Sequence, residues 1–229
     1  MISNLLSFIY PKLCLSCERE LRTDEKLICL HCEFDLYPTL FLKKEENPVF
    51  QLFWGKVNIE YASSCFNFIK GENLQEFIHE FKYKGHKNLA EFFGRKMSNY
   101  LKDSNLFHGI DAVCYVPSSK SKIKQRGYNQ AEELAKVIAK QLNISLLKNI
   151  IIKQKSSKSQ TDKNVFERYK NMESTFEISK KSKQIFESKH LLLVDDVVTS
   201  GATLEACASL LIKELNCKVS ILTLAYRNI

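Results

Sequence analysis

Glycine and proline are scarce in this sequence, which has 7 glycines and 4 prolines in 229 residues. So few of these residues exclude a collagen-like or linker-like chain. No apolar run reaches the roughly 18 residues that a membrane-spanning helix needs. Residues 1–10 also lack the basic region and the small-residue cleavage site of a signal peptide. These absences predict a cytoplasmic globular protein with no membrane span, and the apolar content of 45% fits that class.

Residues 120–189 carry the positive charge of the chain. They hold 17 Lys and Arg residues against 7 Asp and Glu residues, whereas the rest of the chain holds 17 against 19. Such a basic stretch attracts anionic partners, either phosphates or nucleic acid. The same lysines also suit an ordinary solvated surface, so charge alone leaves both interpretations open.

Apolar periodicity alternates along the chain between the patterns of strands and helices. It predicts strands at 59–69, 110–116, 150–152, 191–194 and 218–225, and helices at 72–83, 88–101, 129–142 and 202–215. Strands alternating with helices predict an α/β fold with a parallel sheet flanked by helices. The polar stretch 154–174 has no period and is predicted to be a long loop, either functional or disordered. We expect a cysteine-rich unit with its connector at 1–58 and an α/β domain at 59–229.

The segment Leu191–Thr203 combines an apolar strand, two acids and a hydroxyl-rich turn. In open α/β sheets, ligands bind beyond the carboxyl ends of buried strands. Asp195 and Asp196 at that position can accept hydrogen bonds from vicinal sugar hydroxyls or help to hold a hydrated Mg²⁺. The turn at 199–203 opens a helix whose N–H groups bind anions, and Gly201 permits close approach of a phosphate. The pattern predicts a ribose-phosphate site.

Other structures share parts of this pattern. A core strand followed by a capped helix explains the Ser and Thr residues, but two adjacent acids near a core are costly without a partner. A response-regulator receiver has its paired acids on the first strand, whereas only 33 residues follow Asp196 here. A Walker loop requires GK[ST], which this sequence lacks.

A basic loop at 116–130 follows the strand predicted at 110–116 and therefore lies at the same edge of the sheet. Its cations would surround a polyanion, although a solvated basic turn fits equally well. They are Lys120, Lys122, Lys124 and Arg126. Lys84 belongs to a weaker basic cluster, for which an exposed helix end is the usual explanation.

Four of the eight cysteines form a C-x2-C-x11-C-x2-C pattern. Each pair can present two thiolates to one tetrahedral ion, so Cys14, Cys17, Cys29 and Cys32 predict a closed, structural Zn²⁺ site. A redox C-x-x-C motif is more often single and attached to a βαβ unit. The remaining cysteines lie in apolar contexts and are expected to be buried. These are Cys65, Cys114, Cys207 and Cys217.

Together these motifs resemble the ComF family, in which a four-cysteine zinc knuckle precedes a type I phosphoribosyltransferase-like domain. The resemblance covers nearly the whole chain. It rests on the four cysteines, a Lys-Tyr-x-Gly box at 82–85, Arg-Gly-Tyr-Asn-Gln-Ala at 126–131, the set Gln160, Arg168, Asn171 and Phe176, and the segment 191–203. The last of these is similar to the phosphoribosyl pyrophosphate signature of type I phosphoribosyltransferases. The family often has a second proline in its first loop, where this chain reads Pro117-Ser-Ser.

The resemblance implies a site for 5-phosphoribosyl 1-pyrophosphate (PRPP) with Mg²⁺. Asp195 and Asp196 would contact the ribose hydroxyls, and Arg126 and Lys84 would complete the catalytic set. Arg126 and the backbone near Ser118 and Ser119 would bind pyrophosphate, and a lid over the site would carry Gln160, Arg168 and Asn171. The implied PRPP-binding residues are Lys84, Ser118, Ser119, Arg126, Asp195, Asp196, Val197, Val198, Thr199, Ser200, Gly201, Ala202 and Thr203.

Two functions follow from this resemblance. The first is an enzyme that transfers the phosphoribosyl group to an unknown acceptor in bacterial natural transformation. The base-reading segment of purine enzymes is expected to be missing here, so residues 59–102, the lid or a partner would bind the acceptor. The alternative is a non-enzymatic single-stranded-DNA-binding or PRPP-sensing protein that works with other competence proteins. Tyr128, Phe166 and Tyr169 are candidates for stacking on DNA bases.

Overall fold

The computed structural model describes residues 11–41, 44–154, 175–179 and 188–228. Within them, helices and strands alternate after a short cysteine-rich start, as the periodicity predicts. The helices are α1 (Leu30–Phe34), α2 (Pro48–Gln51), α3 (Asn73–Tyr83), α4 (Leu89–Lys102), α5 (Lys120–Arg126), α6 (Gln130–Leu142) and α7 (Ala202–Leu215). The strands are β1 (Tyr61–Asn67), β2 (Ala112–Tyr115), β3 (Ser145–Leu146), β4 (Ile151–Lys153), β5 (Phe176–Ile178), β6 (His190–Val198) and β7 (Lys218–Tyr226).

A parallel sheet forms the centre of the fold, in the strand order β1-β7-β6-β2-β3. Each neighbouring pair in it runs parallel. The central strands are apolar because helices cover both faces of the sheet. Residues 191–194 of β6 are fully buried, and alternate residues contribute to opposite faces. The predicted α/β fold with a parallel sheet is therefore confirmed.

The two faces of the sheet carry different layers. On one face, α3, α4 and α6 bury a core that includes Phe77, Phe93 and Leu134, and the cysteine-rich start packs against this layer. On the other face, α7 packs together with α2 and the β4–β5 ribbon, and Phe53 and Leu211 are buried there. Within the described residues, no helix combines the length and apolar character that crossing a membrane requires.

The connector at 38–58 packs on the sheet through the segment around α2. Asn47 caps α2 by accepting hydrogen bonds from the amides of Val49 and Phe50, and it donates to the Ala62 carbonyl of β1 at 2.9 Å. Val49 and Phe53 are buried in the core on the α7 side. This segment therefore contributes to the sheet layers, and the boundary between residues 58 and 59 stays a prediction.

Some local structure differs from the sequence prediction. The loop predicted at 116–130 contains helix α5, which none of the apolar periods indicated because none of its residues is buried. Ser119 caps its first turn, and Gly127 ends it with φ 84°. The strand predicted at 150–152 exists as β4, but it pairs antiparallel with β5 outside the main sheet. Strand β6 continues four residues beyond 194, so both Asp195 and Asp196 belong to it.

Candidate functional site

A polar cavity of about 160 Å³ opens where β2 and β6 end and α5 and α6 begin. This is the edge at which parallel strands present their carboxyl ends, as the sequence predicts. Most predicted pyrophosphate and ribose contacts meet there, and we call this space the central cavity. Its lining is Lys82, Val116, Pro117, Ser118, Ser119, Lys122, Arg126, Asn129, Gln130, Ala131, Lys153, Asp195, Asp196 and Thr203.

Asp195 and Asp196 reach the central cavity from opposite faces of β6, because successive side chains of a strand alternate. Asp195 also lines the turn at the start of α7, whereas Asp196 pairs with Lys82 of α3. The Asp196 amide donates to the Asp195 carboxylate at 2.8 Å. Burial, with the charge of Asp196 as a second cause, raises the pKa of Asp195 above the usual range of an aspartate. A ligand that brings donors or positive charge would stabilise its ionised form.

Lys82, which the sequence prediction missed, supplies a cation to this pair. Its Nζ lies 2.7 Å from Asp196 Oδ2, and both side chains are largely buried. Lys84 instead ends α3 with its ammonium 2.8 Å from Glu80 Oε1, and its side chain is 60% exposed. The hydrogen bond that Lys84 donates to Glu80 raises the pKa of Lys84. The two lysines stand two positions apart, so a motif containing both did not indicate which one faces the cavity.

The predicted phosphate loop forms a small cavity of about 60 Å³ at the start of α7. Thr199 and Ser200 are exposed, and Gly201 is buried with φ 77°. A Cβ at Gly201 would lie 3.2 Å from the Phe53 ring and 3.3 Å from Leu52 Cβ. The close approach at Gly201 is therefore to the segment after α2. The connector therefore packs against the phosphate loop, and the sequence did not predict this contact.

Arg126 carries an unsatisfied donor at the wall of the central cavity. Its Nη1 donates to Gln130 Oε1 at 3.0 Å, and its guanidinium lies 5.1 Å from the centroid of the Tyr83 ring. The buried Nε has no hydrogen-bond partner among the described residues. Buried polar groups are normally paired, so this arginine keeps hydrogen-bonding capacity that its contacts within the described residues do not use.

The residues after Arg126 connect the loop at 116–130 to the end of α3 through hydrogen bonds. The Tyr128 hydroxyl and the Gln130 side chain both donate to the Phe81 carbonyl, the latter at 3.2 Å. Asn129 caps α6, donates to the Val116 carbonyl and accepts from Ser118 Oγ at 3.1 Å. The Arg-Gly-Tyr-Asn-Gln motif thereby joins two walls of the cavity. Tyr128 packs on Phe81 and is only partly exposed, which makes it a poor stacking platform.

Lys153 is a second cation that sequence reasoning missed. It ends β4, lines the central cavity, and lies with its Nζ 5.2 Å from the Phe176 ring centroid of β5. Burial lowers the pKa of Lys153, and the charge of Lys122 lowers it further. The ribbon β4–β5 therefore brings a cation into the site. The predicted lid residues Gln160, Arg168 and Asn171 lie outside the described residues, as do Phe166 and Tyr169.

The four knuckle cysteines come together as their spacing predicts. Their sulfurs all lie within 4.8 Å of one another, and Cys17 and Cys29 Sγ are 3.6 Å apart. Sulfurs at about 2.3 Å from one tetrahedral ion would lie about 3.8 Å apart, so the cluster fits Zn²⁺. Burial acts to raise the pKa of Cys14, but backbone amides outweigh it and lower the pKa to about 7. The other four cysteines are buried, and no disulfide joins any of the eight, all of which are described.

Most of the residues that were predicted to bind PRPP line one of two neighbouring cavities. The central cavity brings together Ser118, Ser119, Arg126, Asp195, Asp196 and Thr203. The phosphate-loop cavity is lined by Asp195, Val197, Val198, Thr199, Ser200, Gly201, Ala202 and Thr203. Lys84 lines neither cavity. Lys122 lines the central cavity, as expected of the basic loop, and Lys82, Lys153, Asn129 and Gln130 line it without having been assigned a role.

Comparison with known proteins agrees with this geometry. Residues 123–229 match the phosphoribosyl transferase domain family. Competence protein F of Haemophilus influenzae is 28% identical over 170 residues, which cover 67% of this chain and 74% of that protein. DNA utilization protein YhgH of Escherichia coli is 22% identical over 143 residues, and the match spans 61% of each chain.

Solved structures are more distant. Adenine phosphoribosyltransferase from Leishmania tarentolae is 12% identical, with a TM-score of 0.40, and the match covers 83% of this chain and 94% of that one. The domain match and the parallel sheet with its flanking helices confirm the predicted fold class.

Proposed function

We propose that this chain is a ComF-like protein that binds PRPP with Mg²⁺ in the central cavity, because residues 123–229 match the phosphoribosyl transferase domain family and the chain is similar to Competence protein F and DNA utilization protein YhgH. The observation that carries the proposal is that acidic and basic side chains line the same cavity. Asp195 and Asp196 line this space together with Arg126, whose Nε has no hydrogen-bond partner among the described residues. A sugar diol suits the carboxylates, and a pyrophosphate suits the guanidinium.

Each part of PRPP has residues of matching chemistry. The ribose hydroxyls would donate to Asp195 and Asp196, and the 5′-phosphate would accept from the amides and hydroxyls of 199–203 at the start of α7. The pyrophosphate would lie near Ser118, Arg126 and Lys153. Lys84 is exposed and paired with Glu80, so we replace it with Lys82 as the α3 cation of the site.

The carboxylates also fit a hydrated Mg²⁺. Asp195 and Asp196 supply the oxygen ligands that this ion prefers, and its charge would relieve the repulsion that helps to raise the pKa of Asp195. When bound, Mg²⁺ would neutralise pyrophosphate oxygens and so favour departure of that group. The chain's own part is to hold the ribose, orient the pyrophosphate on Arg126 and Lys153, and exclude water.

The biological role that we propose is the handling of DNA taken up in natural transformation, inside the cytoplasm. Competence protein F and DNA utilization protein YhgH support it by their names. Transfer of the phosphoribosyl group to an acceptor is the enzymatic form of the proposal. The non-enzymatic alternative is PRPP sensing or single-stranded DNA binding alongside other competence proteins, for which Lys120, Lys122 and Lys124 on α5 offer a basic surface.

The knuckle completes the proposal as a structural Zn²⁺ site. Four cysteine ligands leave no open coordination position for water, so the ion would stabilise the fold of residues 11–36 and take no part in chemistry.

Calorimetric titration of PRPP with Mg²⁺ tests the main site directly. We expect binding by the native chain and at least a tenfold loss in Asp195→Asn with Asp196→Asn, since hydrogen bonds to charged groups contribute roughly 1.5–3 kcal/mol each. Asp111→Asn, a change at an exposed acid before β2, is the matched control. Absence of PRPP binding by the native chain would refute the proposal and leave DNA binding as the leading function.

A further inference from the structure

The phosphate loop, residues 199–203, joins two elements whose own positions are fixed. Val198 ends β6 and is still paired with β7, and Ala202 begins α7. Thr199 and Ser200 are exposed, whereas Gly201 is buried. The first N–H groups of a helix have no partner within that helix. The amides that would bind the 5′-phosphate therefore do not fix the shape of the loop through helical hydrogen bonds.

Phe53 of the connector, two residues after α2, contacts this loop at Gly201. A Cβ at Gly201 would lie 3.2 Å from Phe53 Cε1 and 3.3 Å from Phe53 Cζ. Phe53 is 1% exposed and shares the core on the α7 side of the sheet with Leu204. Gly201 has φ 77°, a conformation that residues with a side chain rarely adopt. The Phe53 ring thus packs directly against a left-handed backbone at the start of α7.

The connector is itself held on the sheet, so it can support the loop. Asn47 is buried, and it donates hydrogen bonds of 2.9 Å to the Tyr61 hydroxyl and to the Ala62 carbonyl of β1. The Tyr61 hydroxyl in turn donates to the Lys44 carbonyl at 2.6 Å. Buried polar networks of this kind make the backbone around them rigid. Phe53 therefore belongs to a fixed segment and not to a free linker.

We propose that Phe53 is a positioning residue for the 5′-phosphate of the ligand. Its ring fixes the Gly201 backbone, and through it the direction of the N–H groups at the start of α7. The inference rests on the proposed PRPP site, because it concerns the end of that site that would hold the 5′-phosphate. Hydrogen bonds weaken steeply as their angle departs from linearity, so a small rotation of the loop would weaken several phosphate contacts together.

This role belongs to a part of the chain that the domain comparison leaves out. Phe53 lies before residues 123–229, which match the phosphoribosyl transferase domain family. Gly201 and the rest of the phosphate loop lie within that match. The segment between the knuckle and the sheet would therefore contribute to ligand affinity without touching the ligand.

Phe53→Leu tests this support with a modest change of volume. Leucine ends at the Cδ position, so the change removes the two ring atoms nearest Gly201 while the chain should still fold. Ribose 5-phosphate and pyrophosphate are titrated separately by calorimetry into the full chain with Mg²⁺. We expect ribose 5-phosphate binding to weaken by about tenfold, because several charge-assisted hydrogen bonds weaken together. Pyrophosphate binding, assigned to the region of Arg126, should weaken by less than about threefold, since distant sites act independently.

Val49→Ala is the matched control, and hydrogen exchange supplies a measurement that needs no ligand. Val49 is buried in the same segment and the same core, but none of its atoms is among those nearest Gly201. Val49→Ala should lower the thermal unfolding midpoint and leave ribose 5-phosphate binding unchanged. The Glu205 amide donates to the Gly201 carbonyl at 2.8 Å. Its exchange should accelerate by about fivefold or more in Phe53→Leu and stay near the native rate in Val49→Ala.

The outcomes separate this inference from the proposed function. If the native chain binds ribose 5-phosphate but Phe53→Leu weakens that binding no more than Val49→Ala does, the positioning role is wrong and the PRPP site stands. Equal losses for ribose 5-phosphate and pyrophosphate would also overturn the inference, because they indicate general damage to the fold. If the native chain binds neither ligand, the proposed function fails. Exchange of the Glu205 amide then decides alone, and equal rates in the two variants would show that Phe53 does not fix the loop.

Discussion

At the scale of single residues, Lys82 offsets the charge of the Asp195–Asp196 pair at the central cavity. Two adjacent carboxylates on β6 repel each other, and burial weakens the solvation that would screen them. The Lys82 ammonium, 2.7 Å from Asp196, offsets part of that repulsion and leaves Asp195 as the group whose pKa rises. Lys84 pairs with the buried Glu80, but its own side chain is 60% exposed and lines neither cavity.

The first prediction compares these two lysines. Lys82→Met should weaken PRPP binding by roughly tenfold or more, because it removes a buried charge from the carboxylate pair and the sugar phosphate alike. Lys84→Met should change the dissociation constant by less than about threefold. Calorimetry with Mg²⁺ present measures both. A larger loss in Lys84→Met than in Lys82→Met would restore Lys84 as the phosphate ligand and contradict the assignment of Lys82.

At the scale of elements, the site depends on contacts between segments that are distant in sequence. The segment after α2 places Phe53 and Leu52 against Gly201, and the motif at 126–130 ties the start of α6 to the end of α3. Helices α4 and α6 approach closely on the α3 side of the sheet. There, a Cβ at Gly94 would lie only 2.6 Å from Val137 Cβ.

The second prediction concerns this helix contact. Gly94→Ala should lower the free energy of unfolding by about 1–3 kcal/mol, because overpacking a core outweighs the roughly 1 kcal/mol gain in helix propensity. Val137→Gly in the same chain removes the Cβ that the new methyl group would meet, so the double variant should lose less stability than the sum of the two single losses. Denaturant unfolding of both single variants and the double variant measures the coupling. Additive losses in the double variant would mean that the two residues do not interact.

Helices and strands whose apolar residues recur at a regular spacing could be predicted from the sequence. Those without such a spacing could not. Helix α7 has its predicted bounds because it buries a face with Leu204, Leu211 and Leu215. Helix α5 was predicted as a loop because it buries nothing, although Ser119 and Gly127 mark its ends. Strand β6 runs beyond its apolar residues because its hydrogen bonds to β7 continue to Val198, whatever the side chains are.

The candidate site was predictable in its motifs and not in its geometry. The sequence was enough to select Asp195, Arg126 and the turn at 199–203 as candidates, because residue type and position in a motif indicate what each of them can bind. Lys153 lies on β4, outside the main sheet, and only the packing of the β4–β5 ribbon brings it near the site. Whether Lys82 or Lys84 faces inward depends on the rotation of α3, which a motif does not specify.

At the scale of the whole molecule, the cysteine knuckle touches the layer that carries Lys82 and Tyr83. Ser16 Oγ donates to Asn73 Oδ1 at 2.8 Å at the start of α3, and Glu33 pairs with Lys96 of α4. These polar links are partly exposed and contribute little individually, and the knuckle adds to the buried core of this layer only a few side chains, among them Ile28 and Leu36. Leu74, Phe77 and Phe93 meanwhile bury the same helices against the sheet. The knuckle is therefore expected to depend on zinc more than the sheet depends on the knuckle.

The last prediction follows from that asymmetry. Cys14→Ser with Cys29→Ser should reduce the zinc content from one ion per chain to none, because two of four thiolate ligands are lost. Since the binding free energy of a structural zinc is folding free energy, hydrogen exchange should accelerate across residues 11–36. Exchange in β2 and β6 should stay slow, and the dissociation constant for PRPP should change by less than about threefold. Cys65→Ser, at a buried cysteine outside the cluster, controls for the loss of a thiol. Unchanged zinc content in the double variant would refute the metal site, whereas accelerated exchange in β6 would show that the knuckle supports the sheet directly.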